Sequence, residues 1–385
     1  MIRYTLRSRR TVGVPLAVGA ILFVLGCSPP APAPSMQPIG SGPPGPTAGA
    51  STTSPRATAT KPISGPVIAF HADPDGHDGF YLIGADGSGL RPLTQPTETV
   101  AFPYWSPDGQ EIAYLCCPSG TTRLYVMSAD GSNTRKLTDR AASGPSWSPD
   151  GTQIAYVDNG TSSIFTVELA TGVSQLLASN SGGPAWSPDG QMVAYFSARD
   201  HRGQDRRNEI YVQDVSSGAA RRLTTNESED VAPVWSPSGD LIAFVSTRDG
   251  NDEIYVIPPK GGKPRRLTVD PAPDEDPAWA PDGSRLAYTS FRNGADPYLL
   301  GSGNAEVMTV GLKGAPPINV TNNPEWDGYP AWSFDSRRLA FGINDGRQFD
   351  LYVIDADGRN RRLLAGVMGS SRPANDCCPA WRPSP

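Results

Sequence analysis

A tryptophan followed by a turn-forming tetrapeptide recurs seven times and sets the frame of the whole chain. Trp-Ser-Pro-Asp-Gly stands intact at Trp105, Trp147 and Trp186, and in altered form at Trp235, Trp279, Trp332 and Trp381. Ser, Pro, Asp and Gly suit the successive positions of a type I turn: proline presets φ at the second, and glycine takes the left-handed conformation that lets a hairpin close. Seven residues after each of the first six tryptophans comes a β-rich triplet, from Ile112-Ala113-Tyr114 to Leu339-Ala340-Phe341. A seventh triplet, Ile68-Ala69-Phe70, has no tryptophan ahead of it. A third stretch is led by Phe80, Leu124, Ile164, Ile210, Ile254, Val307 or Leu351, and thirteen residues on lies Leu93, Leu137, Leu177, Leu223, Leu267, Val320 or Leu364.

Four short strands per unit, joined by Gly- and Pro-rich turns at a mean period of 46 residues between Trp105 and Trp381, predict an all-β fold, a seven-bladed β-propeller over residues 67–385. Unrelated turns in a β-sandwich do not account for two intervals held constant along the domain. The first unit lacks its tryptophan-bearing strand, and the last eleven residues, Asn375 to Pro385, supply one such strand with nothing after it. Pairing that C-terminal strand with Ile68-Ala69-Phe70 of the N-terminal blade closes the ring and removes its open edge.

The run "WSPDGxxIAF", then "EIYV", a glycine turn and "RRLT", resembles the repeat of TolB-type β-propellers, also described as WD40-like or PD40 repeats, across nearly all of residues 67–385. TolB-type proteins of the envelope-spanning Tol–Pal system join six blades to an N-terminal α/β domain, whereas this chain has seven units. Oligogalacturonate lyases with a histidine-rich manganese site and peptidases of the prolyl oligopeptidase type carry similar propellers. Only three histidines occur here, and no Gly-x-Ser-x-Gly nucleophile elbow.

Ahead of the repeats, residues 1–26 combine Arg3, Arg7, Arg9 and Arg10 with an apolar run from Val12 to Leu25 and end in Val24-Leu25-Gly26-Cys27, with no acid. This pattern predicts a lipoprotein signal peptide with acylation at Cys27, and hence an extracytoplasmic, membrane-anchored bacterial lipoprotein of the cell envelope. Residues 27–66 are rich in Pro, Ala, Ser, Thr and Gly and read as a disordered tether. Removing residues 1–26 moves the formal net charge from −6 to −10, which argues against a nucleic-acid partner.

The count from the second-strand lead to the third-strand lead varies from 10 to 21, and from the outer strand to the next tryptophan from 9 to 17. Both connections lie on one face of the disc, where function is expected. On that face Asp stands five residues before the tryptophan at Asp230, Asp274, Asp327 and Asp376, in neighbouring blades five, six, seven and one, with Glu229, Glu275 and Asp276 alongside. These form an acidic arc suited to a basic peptide or a divalent cation; the competing expectation is that each Asp accepts backbone N–H groups of its own loop. Trp326, His71, His201 and Tyr298 complete the candidate binding face. The histidines, His77 included, show no metal spacing and are expected to be surface residues without partners. The adjacent pairs Cys116-Cys117 and Cys377-Cys378 fall in neighbouring blades, and at least one disulfide between them is expected, with the connectivity open. No catalytic residue and no cofactor is singled out. The expected role is a monomeric binding scaffold for an envelope protein, peptide or glycan, touching the membrane only through its lipid; the alternative is a carbohydrate- or peptide-active hydrolase or lyase with its site at the channel mouth.

Overall fold

The computed structural model describes residues 63, 65–72, 79–94, 100–116, 121–201, 207–292, 303–344, 349–365 and 378–383. They form seven four-stranded antiparallel sheets. In chain order each sheet runs from an inner strand outward, as in blade five: Asp230–Trp235, Ile242–Ser246, Glu253–Ile257 and Arg265–Arg266. The inner strands touch one another in cyclic order, and blade one's inner strand, Ala380–Trp381, meets those of both blade two, Val100–Trp105, and blade seven, Trp326–Trp332.

The repeat's residue types explain its local structure. In the turn of blade two, Ser106 Oγ donates to Asp108 Oδ1 (2.6 Å) and accepts from Glu111 N (2.9 Å), while Gly109, at φ 65°, donates to Ser106 O. The aromatic of each triplet stands opposite an aromatic of the third strand in six blades. Tyr114–Tyr125, Tyr195–Tyr211 and Phe244–Tyr255 have centroids 5.6, 5.7 and 5.8 Å apart, and such cross-strand pairs each add about 0.5–1 kcal/mol. The constant interval of thirteen is a backbone contact. Leu93 N donates to Phe80 O, and the same bond recurs at Leu137, Leu223, Leu267 and Val320. In blades three and seven a bulge shifts the outer strand by one, so Ile164 faces Ala178 and Leu351 faces Ala365.

Each tryptophan is a rivet between blades. The indole Nε1 of Trp105 donates to Ala380 O, Trp147 to Tyr104 O, Trp235 to Ala185 O, Trp279 to Val234 O, Trp332 to Ala278 O and Trp381 to Ala331 O. The acceptor is always the carbonyl just before the preceding blade's tryptophan. Only Trp186 departs: its Nε1 is buried without an acceptor. Closure is as expected from the chain end: Trp381 pairs with Ile68 and Ala380 with Ala69, and Arg382 donates from its backbone to Val67 O (2.8 Å) and from Nε to Gly109 O (2.9 Å).

Candidate functional site

The inner strands of blades two to seven break their ladders at the same place. The residue three before the tryptophan takes a left-handed conformation in all seven blades: Phe102, Gly144, Gly183, Ala232, Asp276, Tyr329 and Cys378, with φ between 52° and 64°. Only two are glycine, and each of the others carries roughly 1–3 kcal/mol of backbone strain. Repetition in every blade makes the bulge part of the propeller's inner wall. It also defines a level on the loop-rich face, where the residue five before the tryptophan pairs with the end of the second strand, as Asp230 does with Ser246 and Asp274 with Ser290.

The three described acids of the arc sit at this level, all fully buried, in three different states. Asp230 is clamped: Arg248 Nη2 reaches both its oxygens at 2.9 Å, and Asn226 Nδ2 donates to Oδ2 at 2.5 Å. Burial raises its pKa, opposed by Ser246 and Arg248. Asp327 keeps the amide, from Asn323, on Oδ2 but leaves Oδ1 unpartnered, and burial pushes its pKa up to about 7. Asp274 has neither aid. The residue four before it is Asp270 where the neighbouring blades have Asn226 and Asn323, so no amide donor exists there. Arg292, the counterpart of Arg248, pairs with Asp270 instead, and Thr268 donates to Glu253 (2.6 Å). Neither Asp274 oxygen has a well-formed hydrogen bond, and burial, with Glu253 and Asp270 contributing, pushes its pKa up to about 7 against the nearby Ser290 and Thr268 hydroxyls. The partners that Asp230 and Asp327 find are side chains, not the backbone N–H groups of their own loops.

Blade six concentrates the imbalance. Glu275, directly after Asp274, is buried with Oε1 unpartnered, and burial together with Asp276 and Asp252 pushes its pKa up to about 8. Asp276, in the bulge, is pushed to about 6 by burial, with the Thr289 hydroxyl pulling the other way. Opposite Glu275 in the strand pair stands Thr289, whose buried Oγ1 also lacks a partner. The adjoining wall is aromatic: Trp326 lies 5.5 Å from Tyr329 and 6.4 Å from Phe291. Among the described residues no three acids, histidines or cysteines converge as a metal site.

The histidines correct the surface expectation. His71 is buried in the second strand of blade one and packs edge-on against Phe80 at 6.3 Å, because the strand runs to Ala72. His201 is half-buried, with Nε2 3.2 Å from Arg222 Nη2 and 3.4 Å from Glu209 Oε1. Glu229 accepts from Asn208 N and Nδ2, both at 3.0 Å. Cys116 ends the buried second strand of blade two, and Cys378 occupies the bulge of blade one. Cys27, His77, Cys117, Tyr298, Asp376 and Cys377 lie outside the described residues.

Sequence reasoning missed the acids that open the third strands. Glu209 binds Arg222 (2.7 Å) and Glu253 binds Arg266 (2.6 Å), each fully buried beside the next blade's Asp. The signal was present in Glu-Ile-Tyr-Val, where an acid stands directly before the isoleucine that leads the third strand. Blade three places its acid on the other strand: Asp158, across from Ala142, is bound by Arg140 at 2.6 Å.

The fold agrees with that of known proteins. The TolB of Acinetobacter baumannii matches at 20% identity with a TM-score of 0.51, over 80% of this chain and 79% of that one. An oligogalacturonate lyase of Vibrio parahaemolyticus matches at 15% identity and TM-score 0.57, over 79% and 87%. A puromycin-hydrolyzing peptidase of Mycobacterium tuberculosis matches at 15% and 0.60, over 80% of this chain and 53% of that one. A search of curated proteins finds no match. At these identities the likeness shows the fold alone. The sequence itself matches the TolB beta propeller domain family (PD40) over residues 54–206 and 183–315, more than half of its length, and the chain belongs to that family.

Proposed function

We propose that this propeller is an extracytoplasmic binding scaffold, anchored by acylation at Cys27 and monomeric, that presents its loop-rich face to an envelope protein, peptide or glycan. The observation that carries the reading is the gathering in blades six and seven of buried polar atoms with unmet hydrogen-bonding capacity, at Asp274, Glu275, Thr289 and Asp327. Unmet polar groups of this kind are costly in a scaffold with no ligand and are repaid when a partner supplies the missing donors. A disulfide latch between the pairs Cys116-Cys117 and Cys377-Cys378 belongs to the same proposal, holding blades one and two together at that face; a mass map with all four thiols free in the exported protein removes the latch.

A hydrolase or lyase at the channel mouth is the second reading, and one observation favours it. Glu275 and Asp276 are adjacent carboxyls set at about 8 and about 6, poised near neutrality as acid and base groups are. Affinity capture from intact envelopes, with the lipidated protein as bait, tests the scaffold: recurrent recovery of one partner is expected. Turnover of an oligosaccharide or peptide that disappears in a Glu275→Gln, Asp276→Asn double variant would replace it with the enzyme.

A further inference from the structure

The inference that follows rests on the binding reading and names the chemistry of the ligand. We propose that the junction of blades six and seven at the channel mouth recognises a primary ammonium group carried by a peptide, held by the carboxyls of Glu275 and Asp276, the hydroxyl of Thr289 and the aromatic wall of Trp326 and Tyr329.

The first argument is that the repeat itself has no use for these groups. The pair Glu275–Thr289 occupies a position that reads Ala101–Leu115, Ser143–Val157, Gly182–Phe196, Val231–Val245 and Gly328–Gly342 in blades two, three, four, five and seven. No other described blade places a charge there. The polar pair is an addition made in one blade, at a site where the other blades hold uncharged side chains.

The second argument is what the addition lacks. Glu275 is 4% exposed and Thr289 fully buried, yet Glu275 Oε1 and Thr289 Oγ1 have no hydrogen-bond partner. The hydroxyl stands across the strand pair from Glu275 and against the Asp276 carboxyl, whose pKa it lowers, so it faces the same place as the acids. Oxygens from three side chains on two strands suit a tetrahedral donor with three N–H groups better than a planar guanidinium, which prefers two parallel acceptors. Asp276 and Tyr329 occupy equivalent bulges on neighbouring inner strands, so the aromatic wall lies at the same level. A cation close over such a ring is attracted by its electron-rich face.

The third argument concerns charge. Around Glu275 stand Asp274 and Asp276 on its own strand, Ser290 and Arg292 on the second strand of blade six, Asp252 and Glu253 from blade five, Asp270 from the intervening loop and Asp327 from blade seven. The nearby arginines are already engaged: Arg248 with Asp230, Arg266 with Glu253 and Arg292 with Asp270. Burial without a counter-ion raises Glu275 to about 8 and Asp274 to about 7. An incoming ammonium supplies the missing cation, and the carboxyls release protons as it binds.

The test uses the full chain and acetyl-Gly-Gly-Lys-Gly-Gly-amide as probe, followed by titration calorimetry at pH 7 in two buffers of different ionisation enthalpy. Binding with proton release is expected, abolished by acetylating the lysine and weakened at least tenfold by Glu275→Gln, with thermal stability unchanged or raised. A Gly-Gly-Gly-Gly-amide arm with a free amino terminus distinguishes an α-amine from a lysyl source; binding of either supports the site. Absence of binding by both peptides, indifference to Glu275→Gln, or saturation by calcium chloride in their place would each overturn it. Capture of an envelope partner undiminished in Glu275→Gln, with neither peptide bound, sinks this site while the scaffold stands. Peptide binding with no partner captured keeps the site and sinks the scaffold.

Discussion

Trp381 offers the sharpest test of how the ring is closed. Among the described residues, the closing strand is tied in by two ladder pairs, the backbone bond from Arg382 to Val67, the side-chain bond from Arg382 to Gly109, and two indole bonds: Trp105 to Ala380 O and Trp381 to Ala331 O. Replacing Trp381 with Ala removes a buried indole packed among Ile68, Ala340 and Val353, with Arg338 over its ring at 5.4 Å. Such a cavity costs about 3–5 kcal/mol. Substitution by Phe is more informative, because it keeps most of the volume and deletes the N–H. At Trp381 it breaks a 3.0 Å bond and leaves Ala331 O without its donor, a loss of about 0.5–1.5 kcal/mol beyond the change in packing. At Trp186 the buried N–H has no acceptor, so the same substitution relieves an unmet donor. Trp381→Phe should therefore be the more destabilising by about 1–2 kcal/mol. Urea unfolding read by far-ultraviolet circular dichroism measures the difference as a shift in midpoint at constant slope. Equal losses at the two positions would refute the rivet argument.

Deleting residues 375–385 should destabilise the whole ring more than Trp381→Ala does, since it exposes the edge of Val67–Ala72; an unchanged melting temperature would disprove the closure. Arg248→Met leaves the buried Asp230 carboxylate without its cation and should cost about 3–5 kcal/mol, with Asp230→Asn restoring part of it; no rescue in the double variant would contradict the clamp. Burial lifts the Glu275 pKa from 4.5 to about 8, so the folded protein holds this proton more tightly than the unfolded chain does. Its contribution is full below about pH 4.5 and is lost as pH rises toward 8, so Glu275→Gln should gain on the wild type across that window; a pH-independent difference argues otherwise. Gly131, at φ 90°, would place a Cβ 2.4 Å from Leu93 O of the preceding blade, whereas Gly87, at φ 81°, has nothing within 4 Å. Both Gly→Ala changes carry the backbone strain of about 1–3 kcal/mol, and only Gly131→Ala adds a clash, so it should melt at the lower temperature.

Much of the fold was legible because each blade repeats the same local chemistry. Turn residues, the Ile-Ala-aromatic triplet and the interval of thirteen each report contacts within one four-stranded sheet, which lie close in sequence. The chain end was legible too, since counting strands leaves one fragment at each end and a ring pairs them. The indole rivets were not: the tryptophans were visible, but their acceptors lie one blade away, on carbonyls that any residue carries. The bulges escaped for a related reason. A left-handed position normally announces itself as glycine, and here Phe102, Ala232, Asp276, Tyr329 and Cys378 are held in it by the strand pairs on either side.

The site divides in the same way. Sequence alone determined that seven blades close into one ring, that length variation falls on a single face and that Asp230, Asp274 and Asp327 share a level there. Only the tertiary structure decided what those acids are. Three aspartates at one repeat position became an ion pair, a half-met carboxyl and a bare one, because their states depend on residues from two blades at once. Asn226, Asn323 or Asp270 precedes the acid, and Arg248 or Arg292 chooses its partner from the next strand. A repeat pattern records what blades have in common. The imbalance of charge and hydrogen bonds at Glu275, Asp276 and Thr289 arises where two unlike blades meet, and long-range burial, not local spacing, sets it.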